Sequence, residues 1–171
     1  MRTIGVISDT HGLLRAEAVA ALQGCGLILH AGDVGDPGIL TRLEEIAPVH
    51  AVFGNTDWGE LRARLPPTAV VDLTTEDGVP RAGDSGGVLA YVLHDLGDLD
   101  IRPERTGLSL VVSGHTHQPR VDREGAALYL NPGSAGPRRF SLPVTVARVE
   151  VDGGSLNVEI VELDVALDEG R

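Results

Sequence analysis

The chain is 171 residues long, 42% hydrophobic and 3% aromatic, with 25 acidic residues against 14 basic ones and a formal net charge of −11. That length suits one domain around a single core, which must be built from Val, Leu, Ile and Ala rather than from aromatic rings. An acidic field of this size repels polyphosphate backbones and excludes sequence-independent nucleic-acid binding, while a single cysteine excludes an intrachain disulfide.

The first half alternates strand and helix signals. Ile4 to Ser8 is a short apolar strand, and Arg15 to Gln23 places Ala18, Val19 and Leu22 at helical spacing before Gly24. Cys25 precedes the strand Leu27 to His30 and reads as a small buried residue. Asp36 and Pro37 form an N-cap and first helical residue, Leu40, Leu43 and Ile46 share one face, and Pro48 ends that helix. Val49 to Phe53 is the third strand, and β-α-β-α-β order implies a parallel sheet with helices packed on it.

A short helix near Glu60 to Arg64 is followed by Pro66-Pro67, after which strands dominate: Ala69 to Leu73, Val88 to Leu93, Leu108 to Ser113, Ala127 to Leu130, Val144 to Val151 and Leu156 to Leu163. Asp152-Gly153-Gly154 joins the last two as a hairpin. Thr74 to Gly87 lacks periodicity and reads as an exposed loop, and residues 166–171 form a polar tail behind a domain spanning 1–165. The expected architecture is an α/β half followed by a mainly β half, packed as one layered domain. Met1-Arg2-Thr3 passes straight into strand, and no apolar run approaches the roughly 20 residues of a membrane span. A cytoplasmic protein without membrane contact is expected.

The chemistry-bearing residues stand where strands end: Asp9-Thr10-His11-Gly12, Gly32-Asp33, Gly54-Asn55-Thr56-Asp57, His94, and Gly114-His115-Thr116-His117. Ligands of open α/β sheets gather at the carboxyl ends of strands, so these loops can converge on one rim. Singly, Asp9 caps a turn, Asp33 and Asn55 suit turns, and the histidines suit solvated loops. Together they offer carboxylate, imidazole and amide donors suited to Mn²⁺, Fe²⁺, Ni²⁺ or Zn²⁺, without the thiolates of a structural zinc site. A shared carboxylate such as Asp33 could bridge two cations about 3.5–4 Å apart, which lower the pKa of a bridging water and clamp phosphoryl oxygens. His30, at a strand end, suits a supporting position; His50 reads as an ordinary strand histidine and Trp58 as a packing residue.

This ordered set resembles the calcineurin-like metallophosphoesterases, in particular their small bacterial and archaeal phosphodiesterase branch, from Ile4 to about Arg138. The resemblance implies a sandwich of parallel-to-mixed sheets flanked by helices (α-β-β-α) without a large cap. It further implies two divalent ions, with Mn²⁺ foremost, and a hydroxide bridging them for in-line attack on the phosphorus of a small phosphoester. It assigns Asp9, His11, Asp33 and His117 to one metal and Asp33, Asn55, His94 and His115 to the other, a division spacing alone does not make. Asn131-Pro132-Gly133-Ser134 and Pro137-Arg138 resemble the branch's closing motif, with Arg138 or Arg139 as the phosphate-binding cation. Small family members also associate as homo-oligomers. A phosphomonoesterase or nucleotide phosphatase, and a non-catalytic scaffold like the family-related subunit of retromer, are the alternatives.

Two positions depart from the family pattern. Asp95 follows His94 where the family shows glycine, so it either orients a neighbouring group or points away. Thr56 replaces the histidine that commonly protonates the leaving group, removing a contribution of about 10²–10⁴-fold to the rate. Phosphodiesters with activated leaving groups should therefore turn over faster than alkyl monoesters; parallel kcat/KM measurements in which the alkyl monoesters match or exceed them would refute this.

Overall fold

The computed structural model describes residues 1–82 and 86–165; residues 83–85 of the expected loop and the expected tail at 166–171 lie outside the described residues. Ten strands and four α-helices run in the order β1 (Arg2–Ile7), α1 (Ala16–Leu22), β2 (Leu27–His30), α2 (Pro37–Glu44), β3 (Val49–Ala51), α3 (Glu60–Arg64), β4 (Thr68–Asp72), β5 (Leu89–Leu93), α4 (Pro103–Thr106), β6 (Leu108–Val112), β7 (Arg120–Glu124), β8 (Ala127–Asn131), β9 (Thr145–Asp152) and β10 (Ser155–Glu162).

The strands form two five-stranded sheets, β10-β9-β1-β2-β3 and β4-β5-β6-β8-β7. In the first, β1, β2 and β3 are parallel, as the alternating helices require, and β9 lies antiparallel against β1. The C-terminal hairpin thus returns to complete the N-terminal sheet, and the two halves of the chain are interleaved. In the second, β5, β6 and β8 are parallel, with β4 and β7 antiparallel at the edges. The carboxyl ends of six parallel strands, three from each sheet, therefore point to one rim.

Side-chain alternation sets the layers. Ile4, Val6, Leu27 and Leu29 meet Val92, Leu110, Val112 and Leu130 between the sheets, all essentially fully buried. The other faces of β1 and β2 carry Ile7 and Ile28, which are covered by Ala18 and Leu22 of α1 and Leu40 and Leu43 of α2. On the far side, Tyr91, Leu93 and Val111 pack under Leu99 and Ile101. Helix, sheet, sheet and thin outer cover reproduce the expected α-β-β-α order, and Cys25 is buried as expected.

Local chemistry explains most boundaries. Asp36 caps α2 by accepting from the Gly38 N–H at 2.7 Å. That helix closes at Glu44, short of Pro48, because the Ile46 and Ala47 N–H groups both return to the Leu43 carbonyl. Gly153 and Gly154 have φ of 53° and 93°, the left-handed pair a tight hairpin needs. β3 is shorter than the expected Val49 to Phe53 because the Phe53 N–H turns to the Pro66 carbonyl. The strand missed by pattern is β7, whose sequence Arg-Val-Asp-Arg-Glu is mostly exposed. As an edge strand it pairs on one side only and carries the charges that blunt further pairing.

The inter-sheet layer should dominate stability. Leu110→Ala removes a fully buried side chain there and should cost about 2–5 kcal/mol, seen as a lower urea midpoint with an unchanged slope.

Candidate metal centre

Five of the seven predicted ligand residues have left-handed backbones: Asp9, His11, Asp33, His115 and His117, with φ of 54°, 45°, 53°, 69° and 59°. Non-glycine residues avoid this region at a cost of about 1–3 kcal/mol each, and such strain concentrates where side chains must be aimed. Each of these residues lies just past the end of a parallel strand, where the chain bends sharply over the rim.

The side chains converge in two overlapping groups. Asp9 Oδ1 lies 3.2 Å from His117 Nε2 and 3.8 Å from His11 Nε2, and the two imidazole nitrogens are 3.2 Å apart. Asp33 Oδ2 is 3.8 Å from His11 Nε2 on one side and 3.3 Å from His94 Nε2 on the other. Asn55 Oδ1 lies 3.0 Å from both His94 Nε2 and His115 Nδ1. All seven predicted residues are thus brought together, and Asp33 faces both groups. Asp9 Oδ1 and His117 Nδ1 are buried with no hydrogen-bond partner among the described residues. An orphaned carboxylate oxygen facing two imidazole nitrogens is a donor set that a divalent cation satisfies, and the absence of thiolate suits a borderline or hard ion. Asp9, His11 and His117, and likewise Asp9, Asp33 and His94, each place one ligand atom within 4.8 Å of the others.

Residues 1–154 match the calcineurin-like phosphoesterase superfamily domain. The chain belongs to that superfamily. A probable metallophosphoesterase of Methanothermobacter thermautotrophicus is 36% identical over 92% of this chain and 91% of its own length. An uncharacterised Streptococcus pneumoniae protein predicted to be a phosphoesterase superposes with a TM-score of 0.70 at 25% identity, covering 98% of this chain and 94% of that one. Vacuolar protein sorting 29 from Cryptosporidium parvum gives 0.67 at 20% identity, covering 95% and 97%, which is a likeness of fold. This superfamily member is a metal-dependent phosphoesterase of the α-β-β-α fold.

Behind the predicted ligands stands a layer that sequence reading largely missed. Asp57 is buried and accepts from the N–H groups of Val34, Gly35 and Gly54 at 3.1, 2.9 and 2.9 Å, tying the Asp33 loop to the Asn55 loop. Asp9 Oδ2 accepts from Ser8 Oγ at 2.7 Å and from the His115 N–H at 3.1 Å, joining the first and last ligand loops. Asn131 donates to the Gly114 carbonyl at 2.7 Å, and Ser134 Oγ to the Asp9 carbonyl at 2.9 Å, so the closing motif braces ligand loops from below. Arg138 Nε is buried without a hydrogen-bond partner among the described residues, while the charge of Arg139 reaches His11. Asp57 already stood in the Gly-Asn-Thr-Asp block, and that membership is the signal that could have found it. A Cβ on Gly54 would collide with Asp33 Oδ1, and one on Gly114 with Ser8 Oγ, so both close approaches require glycine.

Electrostatics follow from burial and pairing. Burial pushes the Asp33 carboxyl up, but hydrogen bonds from His94 and the Thr56 N–H outweigh it and hold the group well below the usual carboxylate range. Burial lowers His94, yet its bond to Asp33 and the Ala31 carbonyl at 2.7 Å raise it overall. Burial lowers His11, against the pull of Asp33 and Asp9. His30 takes the supporting position expected of it: it is fully buried, with Nε2 3.0 Å from Thr10 Oγ1 and Nδ1 accepting from the Gly32 N–H at 3.2 Å. His50 instead faces the Asp77 carbonyl, away from the rim.

Burial pushes His30 from 6.5 down to about 4. Between those values the unfolded chain binds a proton that the folded chain refuses, so stability is full above 6.5 and falls as pH drops, by up to about 1.4 kcal/mol per pH unit. Urea unfolding of metal-free protein should show this loss, and in His30→Gln the pH dependence should be shallower by that amount; superimposable slopes would show that His30 does not titrate this way.

Proposed function

We propose that the protein is a phosphodiesterase that works with two divalent cations, Mn²⁺ foremost, held by Asp9, His11, Asp33 and His117 and by Asp33, Asn55, His94 and His115. The observation that carries this reading is the position of Asp33, whose Oδ2 lies 3.8 Å from His11 Nε2 and 3.3 Å from His94 Nε2. Its low-lying carboxyl is ionised throughout the working pH range, as a shared ligand must be. Bound there, two cations would lower the pKa of a shared water and polarise phosphoryl oxygens for in-line displacement.

The chain's own residues do the rest. The backbone bond from His94 Nδ1 to the Ala31 carbonyl leaves Nε2 free to face the site. Arg138 and Arg139 follow the closing motif and supply the positive charge that a diester's remaining oxygen would meet. A cavity of about 460 Å³, lined in part by Asn55, His94 and His115, opens beside the second ligand group and can receive a leaving group. Thr56 Oγ1 sits 3.5 Å from His11 Nδ1, where the family's leaving-group acid would otherwise stand. A hydroxyl there is no acid near neutral pH, which favours diesters whose alcohol departs without help.

The test is hydrolysis of bis-p-nitrophenyl phosphate beside p-nitrophenyl phosphate by metal-stripped protein, before and after adding Mn²⁺, Ni²⁺ or Zn²⁺. Diester cleavage should appear only with metal and fall at least about 10³-fold in Asp33→Asn, the several kcal/mol that metal polarisation supplies. Metal-dependent activity confined to the monoester would replace the diesterase reading with a monoesterase one, and folded protein inert with every metal would remove the enzymatic reading.

A further inference from the structure

His115 is one of the two exposed side chains among the seven, the other being Asn55. Its side chain is 41% exposed, its backbone is left-handed at φ 69°, and its ring meets His94 edge-on, 5.2 Å between centroids at 79°. An exposed imidazole on a strained loop has several rotamers and two neutral tautomers available, and only one combination aims a lone pair at the Asn55 side of the site.

Asp95 supplies what that ring lacks. Its Oδ1 accepts from the Gly97 N–H at 2.8 Å and caps the short 3-10 turn at Leu96–Asp98, which anchors the carboxylate. Its Oδ2 then lies 3.6 Å from His115 Nε2, the ring nitrogen remote from the site, while His115 Nδ1 lies 3.0 Å from Asn55 Oδ1. The Gly114 N–H bonds to the His94 carbonyl at 2.9 Å, so the two loops that carry Asp95 and His115 are fastened together at the backbone. Asp95 therefore turns away from its neighbour His94, whose own orientation is set by Ala31.

Building on the two-metal reading, we infer that Asp95 is a positioning residue: through Nε2 it holds the His115 ring and its tautomer so that Nδ1 is the metal-facing nitrogen. A glycine at 95, as the family pattern shows, has no side chain to do this. Loss of a partner that orients a metal-ligating histidine typically costs about 10–100-fold in metal affinity.

Calorimetric titration of Mn²⁺ into metal-free protein tests this. Wild type should bind two equivalents. Asp95→Asn keeps the shape and the capping oxygen but loses the charge, so one of its two dissociation constants should rise about 10–100-fold while the other stays within about threefold. Asp95→Ser also retains a cap acceptor and should behave the same way, which guards against misfolding of a single variant. Asp98→Asn removes an equal charge from the wall of the same cavity and should leave both constants unchanged. Two unchanged constants in the Asp95 variants overturn the inference, as does an equal loss in Asp98→Asn, which would mark a general charge effect. Fewer than two equivalents in wild type would instead overturn the two-metal reading, and this inference with it.

Discussion

Two carboxylates buried at the junction of two sheets govern this structure. Asp9 and Asp33 are 0% and 3% exposed, and an ion that far from water persists only if it is paired and hydrogen-bonded. Asp33 is compensated by His94 and the Thr56 N–H, and Asp9 Oδ2 by Ser8 and the His115 N–H. Asp9 Oδ1 has imidazoles nearby and no hydrogen bond among the described residues. The loops are thus drawn together by an electrostatic need that protein groups alone leave partly unmet, and a divalent cation is the group of matching charge.

That arrangement requires backbones that would not adopt their shapes unaided. Five left-handed residues of the predicted ligand set are held because neighbouring loops over-determine them. Asp57 gathers three N–H groups from two loops, His30 bonds one loop to another while staying neutral, and Asn131 and Ser134 brace from the second sheet. Strain at the rim and rigidity beneath it are one design: the inter-sheet core fixes where the six parallel strands end, and hydrogen bonds from buried polar side chains fix how each loop leaves them.

The scarcity of aromatic residues fits this division. Aliphatic side chains fill the inter-sheet layer, whereas Phe53 and Tyr91 line the cavity beside the ligands and Arg62 stacks over Phe53 with its guanidinium carbon 4.2 Å from the ring centroid. Trp58, read from sequence as a packing residue, is 72% exposed beside the Asn55 loop. Compact branched chains thus stand where two sheets must approach closely.

The amino-acid sequence by itself determined the parallel β-α-β-α-β start, the caps and turns at Asp36 and Gly153-Gly154, and which seven residues converge at the rim, because periodicity, capping and block order are local properties of a chain. Only the tertiary structure decided that the C-terminal hairpin returns to β1, since pairing across about 140 residues leaves no local trace. The charged edge strand β7 escaped for a related reason: its residues follow the needs of a solvent-facing edge rather than an alternating apolar pattern. The supporting layer was equally hidden. Ser8 and Asp57 past strand ends and Asn131 at the end of β8 have ordinary identities, and Asp95 read as an irregularity beside His94. Their roles come from hydrogen bonds and contacts between residues far apart in the chain, which exist only once two sheets have brought six strand ends to a common rim.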